Sequence, residues 1–255
     1  MAAKVTDPLF EFLLRMGDNT LVLGHGVSEW CGKAPVLEED IALANTALDL
    51  IGQTQMWLGL AGEVEGKGRS ADDLAMLRDV WDFRNLLLVE QPNGDFGQTM
   101  MRQFLFDAWH VEMLDALQSS SDARISGIAA KAFKEASYHV ERTADTVIGL
   151  GDGTQVSHDR MQAALDLLWP YIGEMTKADA VDTAMAAQGI APEPDALRAK
   201  VDARIRAVLS EATLTIPDSD FAHKGGKSGF QHSEHLGHIL TQMQWLQRAY
   251  PGARW

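Results

Sequence analysis

Apolar residues spaced three and four apart run for more than twenty residues at a time in this chain, and only eight prolines interrupt its 255 residues. That period matches one face of an α-helix, and runs of such length exceed an ordinary strand. From about Pro8 to Trp30 the apolar set is Leu9, Phe12, Leu13, Met16, Leu21, Leu23, Val27 and Trp30, closed by Cys31 and Gly32. From about Glu38 to Ala61 it is Ile41, Ala44, Leu48, Ile51, Met56, Trp57 and Leu60. The spacing predicts a long helix over each stretch. A third opens at Ser70, a good N-cap with Asp72 and Asp73 in the first turn against the positive helix end, and is expected to run to Leu88. Pro92, Asn93 and Gly94 then form a turn before a fourth helix over 97–117. Asp122 opens a fifth, which ends in the glycines at 149, 151 and 153, and further helices fit 159–174, 178–188, 195–212 and 233–250. EATLTIP (211–217) is the one β-like run and is too isolated to found a sheet. The expected fold is all-α: one domain over 1–255, a bundle of long antiparallel helices with additional C-terminal helices.

Composition narrows the function. A hydrophobic fraction of 46%, with seven Trp and eleven Met, supplies a real core. The single Cys31 excludes a disulfide framework and any CxxC zinc or redox site, so a reducing compartment, the cytoplasm, is expected. The opening MAAKVTDPLFEF lacks the apolar core of a signal peptide, and no stretch of about 18 apolar residues occurs, so neither export nor a membrane span is expected. Thirty-six Asp and Glu against 22 Lys and Arg leave a net charge of −14, which opposes binding to phosphate backbones and argues against a nucleic-acid partner.

Long helices with inward carboxylates raise a di-metal possibility, in which two helices each give a Glu and two others each give Glu-x-x-His. Glu-x-x-His is absent from the chain. Of two Asp-x-x-His pairs, Asp220 and His223 sit by a Gly/Lys-rich loop, where both are expected to be solvated, while Asp107 and His110 lie mid-helix on one face. Their natural counterpart, KEASYH (134–139), fails in both frames: Glu135 reaches Tyr138, and His139 counts back to Ala136. In the second helix Asn45 reaches Leu48 and Asp49 reaches Gly52. Asp107, His110, Glu135 and His139 therefore mark a degenerate di-metal position. Together with Asp18, Asn45 and Asp49 they are expected to satisfy one another as a buried hydrogen-bonded network. A metal pair needs several anionic oxygens, and this set is short of them.

Other motifs are weaker. His232, His235 and His238 step three residues at a time and drift round a helix; two of them with Glu234 could take an adventitious zinc or nickel ion, but caps or surface residues are expected. GLGDG (149–153) lacks the third Rossmann glycine and follows a helix where a strand is required. KGGKSG (224–229) resembles a phosphate loop, yet Phe221 stands where its first glycine is needed, and a flexible basic loop is expected. Cys31 has no local nucleophile signature, and no Gly-x-Ser-x-Gly elbow is present.

Longer blocks carry more information. GDNTLVL (17–23), SEWCG (28–32), ALAN (42–45), LDLIGQ (48–53), NLLLVEQPNG (85–94), DAWH (107–110), KEASYH (134–139), EHLG (234–237) and MQWLQR (243–248) resemble the C subunits of bacterial phenylacetyl-CoA 1,2-epoxidase, across essentially the whole chain. The resemblance implies a ferritin-like fold related to the catalytic A subunit of the same oxygenase. It also implies a structural role in phenylacetate catabolism, with no catalytic residue, cofactor or metal in this chain. The implied partner is the A subunit within the assembled oxygenase; A carries the di-iron centre, binds the CoA thioester and epoxidises its aromatic ring with O₂ and electrons from a reductase. The alternative is a free-standing ferritin-like metalloenzyme using Asp107, His110, Glu135 and His139. The partner face is expected on the long early helices and the apolar 85–96 segment.

Overall fold

The computed structural model describes residues 7–253. The opening 1–6, on which the expectation of no export signal partly rests, lies outside the described residues. In chain order the helices are α1 (Pro8–Ser28), α2 (Leu37–Glu65), α3 (Ala71–Met76), α4 (Phe96–Leu117), α5 (Ala123–Gly151), α6 (Gln155–Leu168), α7 (Gly173–Thr176), α8 (Ala180–Ala187), α9 (Pro194–Glu211) and α10 (Glu234–Ala249). No strand occurs among the described residues. None of their helices is long and apolar enough to cross a membrane.

Two helical hairpins make the bundle. α1 turns back into α2 through 29–36, α4 into α5 through 118–122, and one long crossover links the pairs, which is the ferritin-like arrangement. α1 and α2 approach closely because α1 presents Gly17 and Gly24 to its neighbour. A Cβ on Gly17 would stand 2.5 Å from the Leu58 side chain, and one on Gly24 would stand 3.1 Å from Leu50 Cβ. α4 is the central element, with every residue from Thr99 to Val111 buried. α6 and α9 pack on α4, α8 packs on α1, and α10 returns to α1 and α3.

The third helix is shorter than its sequence pattern suggests. Ser70 does cap it, its hydroxyl accepting from Asp73 N at 3.1 Å, but α3 stops at Met76 and the chain continues to 95 through two short 3₁₀ turns and extended links. Distant partners capture groups that a helix would have used internally. Asp18, fully buried in α1, accepts from Arg84 N at 2.8 Å and from Arg78 Nη1 at 2.9 Å. The neighbouring Asn19 accepts from Leu86 N at 2.8 Å, and Glu11 binds Arg84 Nε at 2.7 Å. Glu11, Arg15, Asp18 and Asn19 share one face of α1, and Arg15 ties that face to Asp179 of the α8 cap at 2.7 Å.

Three further expectations change. The helix read over 159–174 begins earlier, at the capping box of Thr154 and Ser157, and breaks at Pro170, which has no N–H to donate. The KGGKSG loop is pinned: Glu174, 2% exposed, accepts from Gly225 N at 2.7 Å and Lys227 N at 3.2 Å through one oxygen and from Leu87 N at 3.1 Å through the other. An internal carboxylate occupies the amides that a phosphate would have taken. The first part of the 85–96 segment is core rather than surface, with Leu86, Leu87, Leu88, Val89 and Glu90 all buried, while Pro92, Gly94 and Asp95 are exposed.

Arg78, 4% exposed, has Asp18 as its carboxylate partner and lies 4.4 Å from the Phe83 ring. Removing the acid leaves a buried cation, so Asp18→Ala is expected to destabilise the chain by about 3 to 5 kcal/mol in denaturant titration. A loss below 1 kcal/mol would show that the crossover holds without this pair.

Candidate functional site

The centre of the bundle, where a ferritin-like protein holds metal, is lined by α2, α4 and α5. α4 places Gln103, Asp107 and His110 on one face at i, i+4 and i+7, and α5 places Glu135, His139 and Thr143 on one face at i, i+4 and i+8. α2 supplies Asp49 and Gln53 opposite them.

Each carboxylate has a partner from the chain itself. Asp107, fully buried, accepts from Gln103 Nε2 at 2.8 Å and lies 3.1 Å from Thr143 Oγ1. Glu135, half-buried, accepts from Gln53 Nε2 at 2.9 Å. Asp49 meets His139 Nε2 at 3.0 Å. His110 is fully buried between aromatic rings, its centroid 4.9 Å from Phe106 and 6.1 Å from Trp109, and neither ring nitrogen has a hydrogen-bond partner among the described residues. The expected single network is therefore divided into smaller groups: Gln103 and Thr143 on Asp107, Gln53 on Glu135, and His139 with Asp49. Glu135 joins Gln53 rather than the histidines, Asp18 belongs to the crossover, and Asn45 is exposed on α2. Sequence reasoning missed Gln53, Gln103 and Thr143, whose spacing along α2, α4 and α5 is visible only once the facing residues are known.

Burial sets the electrostatics. It pushes the Asp107 carboxyl up to about 6, against weaker opposing effects from His139, Gln103 and Thr143. It pushes His110 down to about 3, helped by His139. The Thr143 hydroxyl stands between two acceptors, Asp107 Oδ2 at 3.1 Å and the His139 carbonyl at 2.8 Å.

These donors do not fit a metal pair. α1 brings no carboxylate to the centre, because its two acids are held by Arg84 and Arg78. At the corresponding level α1 and α2 contribute hydroxyls, Thr20 and Thr54, bonded to each other at 2.8 Å. The carboxylates of α2, α4 and α5 are engaged singly with amides, a hydroxyl and an imidazole. No group of three or more His, Cys, Asp or Glu among the described residues is placed to hold a metal ion.

The C-terminal histidines do not converge. His232 lies between Glu90 and the Phe83 carbonyl, where Glu90 also accepts from Ser233 N at 2.7 Å and so anchors the start of α10. His235 is half-buried and His238 is exposed.

Over residues 1–255 the chain matches the family model described as phenylacetic acid catabolic protein. It is 47% identical over 247 residues, covering 97% of this chain and 99% of the relative, to the C subunit of the 1,2-phenylacetyl-CoA epoxidase of Escherichia coli (strain K12).

The raised Asp107 pKa fixes the sign of a pH effect. The fold keeps a proton that the unfolded chain loses at its ordinary value, so the stability from that proton is lost as pH rises from about 4 through 6. Asp107→Asn is the neutral, near-isosteric counterpart of the protonated acid. It is expected to raise stability by about 1 to 3 kcal/mol at pH 7.5 and to leave it unchanged near pH 4. His110 acts oppositely: neutral in the fold, it removes stability as pH falls from 6.5 towards 3. His110→Phe should therefore flatten the acid side of the stability profile, and melting curves across pH check both variants.

Proposed function

We propose, from the premise that the chain belongs to the phenylacetic acid catabolic protein family, that it is the non-catalytic structural subunit of a multicomponent phenylacetyl-CoA 1,2-epoxidase. It pairs in the cytoplasm with the di-iron catalytic subunit and stabilises it. The observation that carries this reading is the engagement of Asp49, Asp107 and Glu135 with His139, Gln103, Thr143 and Gln53. A centre built this way holds the bundle together and offers no open anionic position for a metal that activates O₂. What the chain supplies is a rigid helical body, and a partner that is ordered only in complex gains stability by mass action. An exposed free thiol at Cys31 agrees with a reducing compartment.

The competing reading is a free-standing ferritin-like metalloenzyme with Asp107, His110, Glu135 and His139 as ligands. It requires His110 to turn out of its aromatic surroundings, and Asp107 and Glu135 to exchange their amide partners for metal.

Reconstitution on phenylacetyl-CoA separates the two. Catalytic, B and reductase subunits should lose most of their turnover without this chain, and the catalytic subunit should melt at lower temperature. The chain purified aerobically should contain no stoichiometric iron or manganese by elemental analysis. Full turnover in its absence, or two irons per chain, would sink the proposal.

A further inference from the structure

We propose that the outward face of α2 is a docking surface whose occupant is a long helix of a different subunit, apolar along its seam and basic at the end that meets the first turn of α2. This rests on the reading of the chain as one subunit of a larger enzyme. Leu37, Ile41, Leu48 and Ile51 are 70%, 53%, 70% and 42% exposed. With Ala44 they fall at 37, 41, 44, 48 and 51, the alternation of four and three that seams two helices together. A helix face meant for water carries charges. Here, from Ile41 to Gly62, the single charged residue is Asp49, and its carboxylate is turned to His139.

Glycines add a second, independent sign. Gly52 and Gly59 continue the face from Leu48 at i+4 and i+11, and a Cβ built on either meets nothing within 4 Å. Glycine inside a helix costs stability relative to alanine. Gly17 and Gly24 offset that cost by admitting α2 against α1, whereas Gly52 and Gly59 face no described residue. Close approach of a backbone from outside gives them the same purpose.

Size and charge narrow the occupant. The four exposed aliphatic side chains present roughly 450 Å² of apolar surface, over half of one partner's share in a standard interface. A second copy of this chain is a poor occupant, because each copy carries a net charge of −14 and the acidic first turn of α2, with exposed Glu38, sits at the N-terminal end of the face. Lys or Arg beside an apolar helical seam complements both features.

The full-length chain and the catalytic subunit provide the test, with affinity read by titration and the free chain's melting temperature read alongside. Leu48→Glu and Gly52→Leu should each weaken binding by roughly tenfold or more. Gly52→Leu should at the same time raise the melting temperature of the free chain, an outcome that damage to the fold cannot produce. Trp81→Ala, at an exposed position on the crossover, should bind as the unaltered chain does. If the unaltered chain binds and both α2 variants bind equally well, the docking surface is elsewhere. Self-association of the free chain that Leu48→Glu abolishes would overturn the occupant. Failure of the unaltered chain to bind would instead overturn the subunit reading on which this rests.

Discussion

The polar edge of α1 holds the irregular half of the molecule in place. Asp18 and Asn19 take the amides of Arg84 and Leu86, Asp18 neutralises the buried Arg78, and Arg15 ties down the α8 cap. Without these contacts the crossover would bury peptide groups with nothing to bond, at a cost of about 1 to 3 kcal/mol for each lost partner. Glu90 and Glu174 repeat the device further along: one anchors the start of α10 through Ser233 N and His232, and the other gathers the amides of Leu87, Gly225 and Lys227. Three of the most deeply buried carboxylates thus serve as centres around which non-helical chain is ordered.

Asp107 is the exception and gives the bundle centre its character. Among the described residues no arginine or backbone amide hydrogen-bonds to it; its partners are Gln103 and Thr143, and burial keeps its proton to unusually high pH. Together with His110, which stays neutral among Phe106 and Trp109, it fills ferritin-like positions with groups of low charge. A bundle that held metal would need several carboxylates there with their charge available. In this bundle the acids at that position are held by Gln53, Gln103, Thr143 and His139.

The long helices are readable from periodicity, and Ser70 and Asp122 mark two starts through local capping chemistry. The sequence pattern overextends α3 because the partners that end it, Asp18 and Asn19, lie more than sixty residues away, beyond the reach of any local pattern. The apolar 85–89 run reads as a partner face for as long as its own core is out of view; the structure closes over it. At the bundle centre the i, i+3 relation of Asp107 and His110 is legible, but the neutral Gln53, Gln103 and Thr143 that answer the acids are not. Such residues announce no chemistry until two helices are laid against each other.

The most direct test of the account is anomalous diffraction at the iron edge from crystals of the assembled epoxidase containing this chain. Iron is expected only outside this chain, with no peak among Asp49, Asp107, His110, Glu135 and His139. A pair of iron peaks within coordination distance of Asp107 and Glu135, about 2 Å from their oxygens, would contradict it.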